Sequence, residues 1–406
     1  MAMLQRDTTD RAALIPTARV VEGAQSEWPT VLHIFSGDLW AGAEVVIFNL
    51  LRQLNESSGL RVVALSLNEG LLVEKLRAAG VFTHVIPEAH HSFAAILVRM
   101  ARLFRGQRVA AIHSHRYKEN LLAWLLARWI GARDLFTTVH GLPEPADSSA
   151  REARTVRWRA RLDYAVVKRF RCAVAVSEEM KAALIRQYGF RAEQLRVIHN
   201  GAAFPPVSFD APNGLNGDCF HIGTVARLVP IKGLDLFLDA AAAIRREAPE
   251  ARFSVLGDGP LRANLMQKAA DLRLQECVTF LSPRPDPIAF YRTLHLYLNT
   301  SLHEGIPLSM IEAMACGTPV VSSAVGGIPE IVTDAKEGFL VKRRDADLFA
   351  RRCLGLMRDD GLRRTMGAHA AVRARSRFST SVMAGAYRQL YDDCFAKAGN
   401  IRGRSR

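Results

Sequence analysis

The sequence predicts an α/β protein built on doubly wound, mostly parallel sheets, and three observations carry that expectation. Short apolar, β-branched runs alternate with amphipathic helical segments from about residue 30 onward, the mark of βαβ units. The chain has 406 residues, 49% of them hydrophobic, too many for one core and well suited to two domains. Between residues 202 and 218 the stretch AAFPPVSFDAPNGLNGD, rich in Pro, Gly, Asn and Asp, interrupts the alternation as an interdomain connection would. The expected organisation is a loosely ordered lead-in over 1–28, a first domain over 29–203, a second over 204–378, and a C-terminal helix with a basic tail over 379–406 that packs back on the first domain. Two Rossmann-like domains arranged this way face one another across a cleft. A ligand of open parallel sheets binds there, outside the carboxyl ends of the strands.

The elements follow in order. TVLHIFSG reads as the first strand, GDLWAG as a loop and AEVVIFNLLRQL as a helix. RVVALSL, the helix LLVEKLRAAG, and the strands THVIP, AAIHSH, LFTTVHG and CAVAVSEE complete the first series, which ends on RVIHNG. The second opens with FHIGTVARL and the helix GLDLFLDAAAAIRRE. It continues through RFSVLGDG, the helix PLRANLMQKAADLRL, VTFLS, the helix IAFYRTL and LYLNTS. HEGIPLSMIEAMACGTPVV then supplies a helix over residues 307–316, opened by Pro307 and closed by Gly317, before the strand PVVSS. FSTSVMAGAYRQLYDDCFAKAG is the last helix.

Charge and cysteine usage bound the function. The lead-in has no apolar core of a secretory signal, and LLAWLLARWIG is too short for a bilayer span and is broken by Arg128. The six cysteines are scattered without C-x-x-C spacing, as in reduced cytosolic proteins. Net charge is +14, and residues 151–171, REARTVRWRARLDYAVVKRFR, hold eight Lys or Arg against two acids, a local +6. Val156, Ala160, Tyr164 and Val167 share one helical stripe, and Arg154, Arg157, Arg161 and Lys168 another. This is a packed helix with either a solvated basic face or one that meets anionic lipid or an anionic acceptor. Nucleic acid is not expected, since basic and aromatic residues do not interleave.

Chemistry is sought at the strand ends. Glu304 precedes the helix of the HEGIP unit and Glu312 rides near its middle. Ionised carboxylates only accept, so hydroxyls or cations are their natural partners, while the helix start suits a phosphate. Arg227 and Lys232 in ARLVPIKG sit in one strand-to-helix loop and match a diphosphate. GDGP, with Gly257 and Gly259, permits close backbone approach but lacks the third glycine of a dinucleotide fingerprint. Gly37 and Gly42 have P-loop spacing, yet Ala43 and Glu44 stand where Lys and Ser or Thr belong, which excludes an NTP-hydrolysing P-loop. His113 and His115 alternate on one strand without a third metal ligand at useful spacing. Asp345-Ala-Asp347 reads as a helix cap rather than a metal motif.

Taken together, HEGIPLSMIEAMACGTPVV, ARLVPIKG, GDGP, VSE and IHNG resemble the retaining GT-B glycosyltransferases of family 4, in order and spacing, over roughly residues 30–395. The resemblance implies a nucleotide-sugar donor in the second domain and an acceptor held mainly by the first. It implies that Glu312 holds the ribose hydroxyls, Glu304 the donor sugar, and Arg227 and Lys232 the diphosphate. Gly305, Ile306, Pro307, Gly257 and Gly259 then line the donor site. His140, in TTVHG, faces the donor sugar, and Gly37 and Gly42 form the glycine loop against phosphates or acceptor. No metal or cofactor is required, because two cations already neutralise the diphosphate. Where relatives often carry Phe-x-Gly, this chain has Phe280-Leu281-Ser282-Pro283, so base choice is open, with a UDP-sugar favoured over a GDP-sugar. The expected activity is sugar transfer to a glycan or lipid-linked glycan in surface polysaccharide synthesis, by a cytoplasmic protein touching the inner membrane face. A nucleotide-sugar 2-epimerase of the same fold and a non-catalytic nucleotide-sugar-binding scaffold are the alternatives.

Overall fold

The computed structural model describes residues 28–37, 40–142, 150–204, 219–284 and 286–402. The lead-in, apart from Trp28, and most of the 202–218 connection lie outside them.

The first half runs β1 (Thr30–Phe35), α1 (Gly42–Glu56), β2 (Arg61–Ser66), α2 (Leu71–Ala78), β3 (Phe82–Val85), α3 (Phe93–Leu103), β4 (Val109–Ser114), α4 (Tyr117–Ile130), β5 (Asp134–Val139), α5 (Ala150–Val167), β6 (Cys172–Ala175), α6 (Glu178–Tyr188) and β7 (Leu195–Val197). The second runs β8 (His221–Val225), α7 (Leu234–Glu247), β9 (Arg252–Leu256), α8 (Arg262–Asp271), β10 (Val278–Leu281), α9 (Ile288–Tyr291), β11 (Leu296–Asn299), α10 (Leu308–Ala315), β12 (Val320–Ser323), α11 (Ile328–Ile331), β13 (Gly338–Val341), α12 (Ala346–Arg358) and α13 (Asp360–Arg377). α14 (Thr380–Arg402) returns to the first half, where Tyr387 and Tyr391 are buried with α1 and the first sheet.

All strands are parallel, ordered β3-β2-β1-β4-β5-β6-β7 in one sheet and β10-β9-β8-β11-β12-β13 in the other. TVLHIF in β1 is buried along its whole length, as a strand covered by helices on both faces must be. In each sheet the order reverses once, between β1 and β4 and between β8 and β11, and the crevices that open there are where ligands of such folds bind.

Several boundaries differ from expectation. α10 spans Leu308–Ala315, because Pro307 takes an extended conformation (φ −74°, ψ 110°) and stands just before the helix. The helix expected over 288–294 shortens to α9, since the chain must turn into β11 at Leu296. α13 escaped the sequence reading: its buried face is Met366, Gly367, Ala370, Ala371 and Ala374, too weak in apolar contrast to show a period. Asp345 caps α12, its Oδ1 accepting from the amides of Asp347 (2.9 Å) and Leu348 (3.2 Å), so the D-x-D string serves the backbone.

Candidate active site in the interdomain cleft

A cleft of about 760 Å³ separates the two sheets, and every loop that walls it follows the carboxyl end of a strand or opens the helix beyond. From the first half come Trp40 to Val45 after β1, Arg116 after β4, His140 and Gly141 after β5, and Asn200 after β7. From the second come Val225 to Arg227, Leu256 to Asp258, Pro283 and Arg284, and the run Glu304 to Ser309.

The charged residues singled out by sequence meet here. Lys232 Nζ donates to Glu304 Oε1 at 2.6 Å, and Ser301 Oγ donates to the same oxygen at 2.7 Å. Glu304 is therefore fixed through Oε1, and its Oε2 has no hydrogen bond among the described residues. Arg227 stands exposed on the same wall. Glu312 accepts from Tyr291 Oη at 2.9 Å. Burial pushes its carboxyl up to about 7, opposed by the Tyr291 hydrogen bond and assisted by Asp286. A carboxyl sunk in the wall with one hydroxyl partner still has acceptor capacity for further hydroxyls.

Opposite, the β5 end presents His140. Burial holds it neutral, lowering it to about 4, with Arg116 pushing the same way. Its Nε2 lies 3.2 Å from His115 Nδ1, and its Nδ1 has no protein partner among the described residues. Gly305 brings the halves together: a Cβ there would stand 3.4 Å from the His140 carbonyl and 3.2 Å from Val176 Cγ2. Asn200 Nδ2 ties the linker to the same loop through the Ile306 carbonyl at 3.3 Å.

Gly42, Gly257, Gly305, Ile306 and Pro307 line the cleft as expected. Gly37 and Gly259 do not, and both expectations need correction. A Cβ on Gly37 would face Ser66 Oγ (3.3 Å) and Leu72 Cβ (3.6 Å), so this glycine spaces β1 from the β2–α2 turn. A Cβ on Gly259 would press on the Leu228 backbone, with its N at 2.8 Å, so the second glycine of GDGP lets two loops of the second half touch. His113 and His115 commit their nitrogens to neighbouring hydrogen-bonding groups.

Sequence reasoning missed Tyr291, Ser301 and the ion pair from Arg116 to the buried Glu44 of α1. Arg116 directly follows the HSH of the β4 end, and that position was the available signal. It also missed a smaller cavity of about 270 Å³ beyond His140, reaching Asn120, Asp163 and Tyr164. Asp163 is pushed up to about 7 by burial, against hydrogen bonds from Asn120 Nδ2 at 2.9 and 3.1 Å.

The model of Glycosyltransferase Family 4 matches residues 40–203, and that of Glycosyl transferases group 1 matches residues 208–373. D-inositol 3-phosphate glycosyltransferase from Corynebacterium jeikeium is 30% identical over 307 residues, 70% of this chain and 72% of the relative. Its namesake from Streptomyces bingchenggensis is 30% identical over 312 residues, 72% of this chain and 68% of the relative. Among solved structures, Anabaena HepE in complex with UDP and glucose superposes with a TM-score of 0.78 at 21% identity, covering 89% of this chain and 99% of that one. The HepE complex with UDP-glucose gives 0.77 at 20% identity, covering 91% and 99%. The chain belongs to the GT-B glycosyltransferases of family 4.

Proposed function

We propose that this glycosyltransferase moves a sugar from a UDP-sugar to a hydroxyl acceptor with retention of configuration and without a metal ion. The observation that carries the reading is the convergence of Arg227, Lys232, Glu304 and Glu312 on one wall of the cleft, facing His140 on the other. As the bond from the sugar carbon to the diphosphate breaks, negative charge grows on the leaving oxygen and positive charge on the ring. Arg227, Lys232 and the amides opening α10 stabilise the former. Glu304 orients the sugar hydroxyls through its uncommitted oxygen, and Glu312 takes the ribose. The departing phosphate oxygen accepts the acceptor's proton on the face it leaves, so no strong protein base is needed. A double-displacement route would want two carboxyls flanking the sugar carbon, and here Glu312 is assigned to the ribose instead.

UDP is favoured because the HepE complexes hold UDP and UDP-glucose in a matching fold. The acceptor enters from the first half, where the smaller cavity adjoins the cleft at Arg116, His140 and Gly141. A glycan or lipid-linked glycan on an anionic membrane face fits α5, whose exposed side carries Trp158 and Leu162 beside Arg154, Arg159 and Arg161.

The test is a thermal-shift series with UDP, GDP, ADP and their sugar conjugates, with and without EDTA, on the protein and on Glu312→Ala. Stabilisation by UDP that is unchanged by EDTA and lost in the variant is expected. Stabilisation that needs a divalent ion, or that favours GDP, overturns the corresponding part. Release of UDP only when an acceptor is added separates transfer from epimerisation, and the anomeric coupling of the product reads its configuration.

A further inference from the structure

Behind the cleft wall four histidines converge from neighbouring strands: His33 on β1, His113 on β4, His115 just after it, and His140 just after β5. His140 Nε2 lies 3.2 Å from His115 Nδ1, and His115 Nε2 lies 3.2 Å from His33 Nδ1. His33 Nε2 meets Tyr391 Oη at 3.4 Å, and that hydroxyl meets His113 Nδ1 at 2.7 Å. His113 Nε2 meets Thr138 Oγ1 at 2.8 Å, which meets Tyr387 Oη at 2.8 Å. One unbranched hydrogen-bonded chain therefore runs from the cleft wall through the centre of the first sheet to α14.

Its direction can be worked out. Burial lowers His33 to about 3 and His140 to about 4, and takes His113 and His115 well below the usual range, so all four rings are neutral. Each member then has one mobile hydrogen. With each hydroxyl passing its hydrogen along the chain, seven members joined by six hydrogen bonds leave one hydrogen pointing outward at one end. At the far end Tyr387 is only 2% exposed, and its hydroxyl has no second partner among the described residues. A hydrogen left there is a buried unsatisfied donor, a heavier penalty than an unused lone pair. At the near end His140 Nδ1 is also buried and has no protein partner, but its ring lines the cleft, so an oxygen bound there can accept that hydrogen, which no described residue does at Tyr387.

We propose that this relay fixes His140 as its Nδ1–H tautomer, so that it meets the donor sugar as a hydrogen-bond donor. His115 acts as the immediate positioning residue, and His33, Tyr391, His113, Thr138 and Tyr387 act through it. The sugar as partner rests on the proposed function above; the tautomer is a separate statement, read in the free protein.

The experiment therefore begins without substrate. Ring-15N-histidine protein is examined by two-bond 1H–15N correlation NMR, which separates the two tautomers, with the His140 signals identified by their loss in His140→Gln. Nδ1–H at His140 is expected, and Nε2–H overturns the proposal. His115→Phe keeps a ring in place but gives His140 Nε2 no donor, so both His140 nitrogens should move towards tautomer-averaged shifts. His115→Gln, whose amide can donate to Nε2, should restore the wild-type pattern. In turnover, His115→Phe should lower kcat by about tenfold, the effect of one weakened hydrogen bond, with recovery in His115→Gln and an unchanged thermal shift by UDP in both. Equal kcat and unaltered shifts in His115→Phe refute the positioning role. If that variant does not fold, the wild-type spectrum still decides the tautomer. Absence of sugar transfer alongside Nδ1–H at His140 would count against the functional reading and leave the relay standing.

Discussion

Glu312 is a residue at which folding and chemistry oppose each other. Its carboxyl titrates near 7 because burial disfavours the charged form. A group whose folded pKa lies above its unfolded value binds its proton more tightly in the native state. It carries no penalty at pH 4, and it destabilises progressively as pH rises from 4.5 through about 7. Glu312→Gln is therefore expected to stabilise the ligand-free protein at pH 8 by on the order of 1–3 kcal/mol and to leave it nearly unchanged at about pH 4.5. Urea unfolding at the two pH values measures this, and a destabilised variant at pH 8 would show the carboxylate to be held by favourable partners instead. Both glutamates were legible in the sequence because Pro307 and Gly317 bracket the helix between them. Tyr291 and Ser301 were not, since their hydroxyls reach Glu312 and Glu304 only once β11 has placed the α9 end and the β11 loop beside α10.

Among the elements, the turn into α11 governs how the glutamate loop is held. Gly326 adopts φ 55°, and a Cβ there would run into the Glu304 carbonyl, while Gly327 lies as closely against the Gly305 carbonyl and donates its amide to Glu304 O at 3.1 Å. Gly326→Ala is expected to lose about 1–3 kcal/mol of stability, through strain and through displacement of the 304–305 backbone. UDP stabilisation should fall with it, by thermal shift. The sequence AVGGIPE offered no reason to read these glycines as parts of the site, because the loop they support is more than twenty residues away in sequence. α11 also clasps the other half of the molecule. Glu330 accepts from the amides of Glu178 (2.9 Å) and Glu179 (3.1 Å) at the α6 start and from His199 Nε2 at 2.8 Å. Burial alone would raise this carboxyl, but the His199 and amide hydrogen bonds outweigh it and hold it below the usual range. A depressed carboxyl stabilises above its unfolded pKa and loses that contribution as pH falls through the folded value. Glu330→Ala should thus cost about 1–2 kcal/mol at pH 7 and progressively less below pH 4, in paired denaturation series.

For the whole molecule, the alternation of strands and helices, and the helical character of the last segment, were written in periodicity that a single sequence displays. The reversal of strand order at β1/β4 and β8/β11, which makes the cleft, is a matter of which parallel strands pair, and no local pattern encodes that. The charge of the chain lies between these cases. The basic stripe of α5 was legible; the exposure of Trp158 (64%) and Leu162 (46%) beside it was not, because an apolar residue on an amphipathic helix is by default assigned to the core. Ala160, Tyr164 and Val167 fill the core from this helix, so Trp158 and Leu162 remain on the outer, basic side. No helix among the described residues is long and apolar enough to cross a membrane, and an amphipathic outer face of this kind suits the plane of an anionic interface. Each arginine near such a surface contributes about 1 kcal/mol, so Arg154→Gln with Arg161→Gln should weaken binding to phosphatidylglycerol-containing vesicles by roughly thirtyfold at about 0.15 M salt. Trp158→Ala should weaken it further without altering the salt dependence, since it removes apolar burial rather than charge. Co-sedimentation with anionic and with purely zwitterionic vesicles, at low and high salt, measures both effects. Binding that ignores lipid charge, or none to either vesicle, would assign the stripe to solvation or to an anionic acceptor in solution.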